Sequence, residues 1–448
     1  MTNGSSIKSI TALQTWSWRG HPAIEARVTT ENGALGVGHV QAGTSVGKYE
    51  AQLVHDGGAR WGGLGVQKAV GNVKDIIAPA LTGMDATRQR EVDQRMMELD
   101  GTPNKARLGG NAIGAVSAAV LKAGAASVGL PLYQYIGGAN ACILPTPGVL
   151  AVLGPKRYGG GERGGEKPTY SFYCYGYPTF FDASHACWQV RKAFREVLLE
   201  KKGLNTFRID RLFIDQEGIF QHDREIWALM KEAIERSGNE GKTGIQVDIA
   251  AACYYDKETG LYKGLYSRED KTRDDMIALY RDMVKEYPFV ILEDPLDEDD
   301  YEGHAILTRE LGVQIVGDDL FTTNPARLQH GIELGAANAV LLKVNQVGSI
   351  TEAFDMVELA YRNGYAVMPC SSRGEGADIA DYAVGLGTGH MREGGLDEAT
   401  TRLMEIEAEL GSQASSLEER ASSRSCHHSS GNRRHRKPAV VCSRTAWS

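Results

Sequence analysis

Four apolar runs, each closed by a charged residue, constrain this chain more than any other feature. They occupy residues 245–248, 289–293, 313–318 and 339–343 and end in Asp248, Glu293, Asp318 and Lys343. The closing residues stand 45, 25 and 25 positions apart. A buried parallel strand with its crossover helix takes about 25–30 residues, so the last two intervals are single strand–helix units. In a parallel barrel the residue at the C-terminal end of each strand points into the mouth, where such barrels keep their chemistry. Three carboxylates converging there make a hard, oxygen-only cage suited to Mg²⁺. Lys343, one strand further on, is placed to remove a proton next to a metal-bound carboxylate.

The rest of the pattern supports that architecture. Residues 7–55 alternate apolar and polar around turn signals at 19–22 and 31–33, which predicts an antiparallel meander. From 66 to 129 the period becomes helical, ending in an Ala-rich stretch over 111–128. Strand-like runs and amphipathic helices (224–237, 273–286, 351–363, 400–410) then alternate to about residue 410, which implies an α/β fold, either a barrel or a doubly wound sheet. We therefore expect an N-terminal α+β unit over 1–140, a C-terminal unit over 141–410 carrying the metal site, and a basic Ser/Arg-rich tail over 411–448. A Gly-rich, charged segment at 154–168 breaks the rhythm directly after a strand, and reads as an active-site lid or a flexible insertion.

Charge narrows the partners. The tail holds seven basic residues against Glu418 and Glu419, a net of +5, leaving −13 for the remainder of a chain whose total is −8. An acidic body argues against nucleic acid as the main partner. No apolar run approaches a membrane span and no secretion signal is visible, so a membrane partner is not expected. Seven scattered cysteines with no ligand-like spacing read as reduced thiols in a cytoplasm. His427, His428, His435 and Cys426 in the tail look superficially like metal ligands but read as part of an unstructured segment.

Six segments, 42–51, 99–105, 108–113, 292–295, 316–320 and 342–348, together resemble the enolase (phosphopyruvate hydratase) family in content and order. The resemblance spans about 7–412. It implies an α+β cap over a (β/α)8-type barrel, Mg²⁺ dependence and a homodimer acting on small phosphorylated or phosphonate substrates. Position by position, Asp248, Glu293 and Asp318 match the family's metal ligands and Lys343 its C2 base. Ser45 lies in the loop that closes over substrate.

Other positions depart from the family. Arg157 stands where a histidine is expected, Ser171 where a glutamate is, and Arg392 where a lysine binds the substrate carboxylate. The Ser-His-Arg-Ser motif becomes Cys370, Ser371, Ser372, Arg373. The glutamate that protonates the departing hydroxide falls on Phe213 without gaps, so Glu217, or else Glu162 or Glu166 of the Gly-rich segment, would have to replace it. Read by subtraction, the metal cage and the base survive, while Arg157, Arg373 and Arg392 make the pocket more cationic and suited to a more highly charged substrate, with Ser371 beside them. This pattern is similar to the carboxyphosphonoenolpyruvate synthase branch of phosphinothricin-type antibiotic pathways. The expected activity is then transfer of a phosphonoformyl group from CMP-phosphonoformate to a phosphoglycerate or enolpyruvate acceptor. The alternatives are phosphopyruvate hydratase itself, a dehydratase of a phosphonate analogue, and a non-catalytic paralogue.

Overall fold

A computed structural model describes residues 4–43, 47–154, 156–204 and 218–416, together with the backbone of 212–213. Ser45, Glu217, the side chain of Phe213 and the tail beyond 416 lie outside the described residues.

The N-terminal meander forms over 7–40, shorter than the expected 7–55: β1 (Ile7–Trp16), β2 (Pro22–Thr30) and β3 (Leu35–Val40) pair antiparallel in order. One face packs on the Ala-rich helix Gly110–Ser127. The alanines are there because strand and helix approach backbone to backbone. A Cβ added to Gly36 or Gly38 would sit 2.0 Å from the carbonyl oxygen of Ala119 or Ala115, so only glycine fits.

Residues beyond 140 build the barrel. Its strands are β4 (Thr146–Leu153), β5 (Thr169–Cys174), β6 (Leu212–Phe213), β7 (Thr243–Asp248), β10 (Phe289–Glu293), β11 (Gln314–Gly317), β12 (Ala339–Leu342), β13 (Ala366–Pro369) and β14 (His390–Gly394); β8 (Tyr255–Asp256) and β9 (Leu261–Tyr262) form a separate hairpin. The hydrogen-bonded order is β13-β12-β11-β10-β7-β5-β4-β14, with the short β6 also on β4, and the two ends β13 and β14 meet so that the sheet is nearly closed. This settles the choice between barrel and doubly wound sheet. Residues from five strands, among them Tyr173, Ile291, Val316, Leu341 and Met368, form one buried cluster that fills the interior. The helices Arg224–Ser237 and Arg273–Glu286 have the expected bounds.

One strand departs from a parallel barrel. β5 runs antiparallel to both neighbours, β4 and β7. Its first residue, Thr169, therefore pairs with Asp248, the last residue of β7. The Gly-rich segment 154–168 is consequently a hairpin connection at the mouth, and it delivers its final residues to the same rim as the strand ends.

Ion pairs and a hydrogen bond tie the N-terminal unit to the barrel unit. The Arg373 guanidinium grips both oxygens of the Glu50 carboxylate, with Nη1 donating to Oε2 at 2.6 Å and Nη2 to Oε1, and both side chains are buried. Nη1 of Arg19 donates to the carbonyl of Ser372 at 2.5 Å. Lys105 Nζ pairs with Glu352 at 2.9 Å. Among the described residues no single helix is long and apolar enough to cross a membrane, and no described cysteine forms a disulfide.

Removing one half of the Arg373–Glu50 pair strands a buried charge. Arg373→Ala should cost about 3–5 kcal/mol in chemical denaturation, and Arg373→Met combined with Glu50→Leu should recover most of it. A second expectation concerns pH. His390 is buried across the barrel floor, with Nδ1 donating to the Thr388 carbonyl at 3.2 Å and Nε2 3.1 Å from the Gln314 amide. Burial depresses its pKa from 6.5 to about 4. The folded state thus prefers the neutral ring, and stability is lost as pH falls from about 6.5 towards 4. The loss should reach at most about 3 kcal/mol. Urea midpoints measured across that range should fall in the native protein and much less in His390→Gln.

Candidate active site

Each strand of the sheet ends where the spacing requires. Asp248 and Glu293 are the last residues of β7 and β10, and Asp318 and Lys343 follow immediately on β11 and β12. All four are at most 4% exposed. Isolated charges at that depth would be untenable, so each is paired. Lys343 Nζ donates to Oδ2 of Asp318, whose Oδ1 accepts from Gln346 Nε2 at 2.7 Å. Lys167 Nζ and Arg392 Nη2 both meet Oδ2 of Asp248, and Arg392 Nε lies 3.1 Å from Oε2 of Glu293.

The titration of these groups follows from their neighbours. Burial pulls the Lys343 ammonium down, but Asp318 outweighs it and holds the lysine above its ordinary range. Burial raises Asp318, and Lys343 and Lys167 more than reverse this, bringing it to about 2. Lys167 is pulled down to about 8 by burial and by Arg392. Burial, reinforced by Asp318, lifts Asp319 to about 7.

Two oxygens in this cluster, Oδ1 of Asp248 and Oε1 of Glu293, are buried and have no hydrogen-bond partner. Orphaned carboxylate oxygens beside a third carboxylate fit a hard divalent cation. Carboxylate oxygens of Glu293, Asp294 and Asp318 also lie within 4.8 Å of one another. Asp294 differs in kind from the others. Its oxygens already accept the backbone N–H groups of Asp318 (3.0 Å) and Asp319 (2.7 Å), so it braces the turn that presents Asp318. Asp248, with a vacant oxygen, is the better third ligand on chemical grounds.

Above these charges lies a cavity of about 430 Å³. Its walls include Lys343, Ser371, Arg373 and Arg392 from the barrel, Glu166 and Lys167 from the Gly-rich segment, and Trp18 and Arg19 from the N-terminal unit. Of the expected substrate-facing residues, Ser371, Arg373 and Arg392 line it. Arg157 does not. Its guanidinium grips Asp223, with Nε to Oδ1 at 3.0 Å and Nη2 to Oδ2 at 2.8 Å, inside the protein. Of the candidate replacement acids, Glu166 reaches the cavity, while Glu162 is not among its lining residues. Sequence reasoning did not single out Lys167, Asp294 or Glu50. The only signal for Lys167 was its position just before a strand, at the end of the Gly-rich segment.

The pocket is therefore not the excess of positive charge that counting substitutions implies. Each arginine read as new is matched by a carboxylate: Arg157 by Asp223, Arg373 by Glu50, and Arg392 by Asp248 and Glu293.

Comparison with known proteins corrects the expected activity as well. The family described as "Enolase, N-terminal domain" matches residues 7–136, and "Enolase, C-terminal TIM barrel domain" matches 171–423. The chain is 42% identical to "Enolase" of Methanopyrus kandleri over 425 residues, covering 91% of this chain and 97% of the relative. It is 41% identical to "Enolase" of Methanocaldococcus jannaschii over 417 residues (90% and 96%). It is 42% identical to "Enolase" of Bifidobacterium longum subsp. infantis over 424 residues (91% and 95%). Near full-length likeness to proteins of that name overturns the expectation of a phosphonoformyl transferase, whose arginine-based argument the ion pairs also remove. The chain belongs to the enolase family.

Proposed function

We propose that this protein is a Mg²⁺-dependent hydro-lyase of the enolase kind, eliminating water from a small 2-phospho-3-hydroxy acid for which 2-phosphoglycerate is the test substrate. The observation that carries the reading is Lys343 on the strand next to a buried carboxylate cage with two unpartnered oxygens. The enolase name of the relatives supports the same chemistry.

Asp248, Glu293 and Asp318 hold the metal in this reading. A bound Mg²⁺ would supply positive charge to stabilise an enolate of the substrate carboxylate and to compete with Lys343 for Asp318. Lys343 Nζ takes the proton from the carbon bearing the phosphate. The electrons of that C–H bond pass into the carboxylate group as an enolate and then return to form the new C=C bond as the C–O bond at the next carbon breaks. Glu166 gives its proton to the departing hydroxide, so that water is the net product. Arg392 and Lys167 hold the acidic groups of the substrate, with Ser371 and Arg373 on the adjoining wall. The unit over 1–140 caps the barrel over 141–410, and we keep the homodimer that the family resemblance implies.

Purified protein with Mg²⁺ and 2-phosphoglycerate should yield phosphoenolpyruvate, and chelation should stop it. Lys343→Ala should lose both elimination and exchange of the C2 proton with heavy water, by about 10²–10⁴-fold. Glu166→Gln should lose elimination while retaining C2 exchange, because abstraction does not need the acid. Unimpaired turnover in Lys343→Ala would refute the assignment of the base. Wild-type protein that neither exchanges nor eliminates would point to a non-catalytic paralogue.

A further inference from the structure

We propose that Asp223 is a positioning residue for the cavity: through Arg157, Tyr158 and Tyr170 it fastens the Gly-rich segment 154–168 so that Glu166 and Lys167 project into the mouth of the barrel. The catalytic half of this inference rests on the hydro-lyase reading; the structural half does not.

The segment needs an external anchor. Gly159, Gly161 and Gly165 all have positive φ, and a run this rich in glycine loses much conformational entropy on ordering. Its base is closed by one backbone bond, from Gly154 N to the Glu166 carbonyl at 2.7 Å. Arg163 Nη2 also donates to the Ala252 carbonyl at 3.1 Å and Lys167 pairs with Asp248, but the densest fastening converges on Asp223. Oδ1 accepts from Arg157 Nε at 3.0 Å and from the Tyr158 hydroxyl at 2.8 Å. Oδ2 accepts from Arg157 Nη2 at 2.8 Å and from the Tyr170 hydroxyl at 2.6 Å. Arg157 Nη1 reaches back to the Gly154 carbonyl, and Trp227 Nε1 donates to the Tyr170 oxygen at 2.9 Å. One carboxylate thus takes four hydrogen bonds from the two flanks of the segment.

Three features show that this is not incidental packing. Asp223 is fully buried and lies outside the cavity, so it has no contact with substrate to explain it. It occupies the residue before the helix Arg224–Ser237, where an aspartate ordinarily caps the helix, yet its side chain makes no capping bond. It has turned inward to the segment instead. The residues it fastens lead directly into the wall: Tyr170 is the second residue of β5, and Glu166 and Lys167 are the last cavity-lining residues before that strand. Tyr254 seconds the arrangement by donating to the Lys167 carbonyl at 2.8 Å.

The test compares wild type with Asp223→Asn and, should the aspartate variant fold poorly, with the milder Tyr158→Phe, which removes a single donor, and Tyr170→Phe, which removes one donor and the acceptor of Trp227 Nε1. Tryptic nicking after Arg163, under conditions where the rest of the chain stays intact, should accelerate about tenfold or more in Asp223→Asn and less in the tyrosine variants. Elimination should fall about 10–100-fold as Glu166 moves off its position, and C2 proton exchange, which does not use Glu166 but keeps its need for Lys343 and the substrate contact of Lys167, should fall by clearly less. A change in the ratio of the two is a readout that a merely structural role would not move. Nicking at the wild-type rate in all three variants overturns the clamp. Faster nicking with exchange and elimination falling together overturns the positioning of Glu166. If the wild type shows neither reaction, the hydro-lyase reading fails, and nicking alone decides the clamp.

Discussion

Burial of charge at the mouth of the barrel governs the structure of this protein. Asp248, Glu293 and Asp318 stand at the ends of strands whose neighbours are close-packed apolar side chains, where an unpaired carboxylate would cost several kcal/mol or more. The fold answers by drawing Lys167, Lys343 and Arg392 onto them from three different elements. The cations come from the Gly-rich segment, from the residue after β12, and from β14. Closing the barrel and neutralising the carboxylates are therefore one requirement. The same balance leaves Asp248 Oδ1 and Glu293 Oε1 without partners. Two unpartnered oxygens in so saturated a site fit the metal cage proposed above.

Much of this was legible in the sequence because the signals were local. A strand end followed by a charged residue needs a window of six residues. The positions of Asp248, Glu293, Asp318 and Lys343 were thus readable together with the helices between them. Direction was not readable. The run 169–174 is buried at every position, so it shows no alternation to distinguish its faces, and nothing local tells whether it runs with or against its neighbours. Yet that reversal brings Glu166 and Lys167 to the mouth. Partners distant in sequence were hidden for the same reason: Arg157 meets Asp223 across 66 residues, and Arg373 meets Glu50 across 323.

The misreading of the arginines has a general cause. Counting cationic substitutions assumes that the rest of the protein stays constant, whereas a buried guanidinium is tolerable only with a compensating anion. Arg157 and Asp223 form such a pair, and so do Arg373 and Glu50. The charge a substrate meets depends on what remains after these internal pairings, which is a property of the fold rather than of a motif.

The two halves of the proposed reaction are held by different kinds of structure. Lys343 and the three carboxylates sit on strands fixed by the hydrogen-bonded ladder β7-β10-β11-β12, so a change there disturbs the core of the barrel. Glu166 sits on a connection held by a handful of bonds, four of them to the carboxylate of Asp223. A connection can be rebuilt without repacking the barrel, provided that its anchor is rebuilt with it. The segment after β4 is one of the places where the chain departs from the family pattern it resembles, beside Ser171 on β5, 370–373 after β13 and Arg392 on β14. Departures from a family pattern in such a segment therefore have to be weighed together with their anchors. Arg157 without Asp223 reads as a new substrate contact, and with Asp223 it is part of the frame.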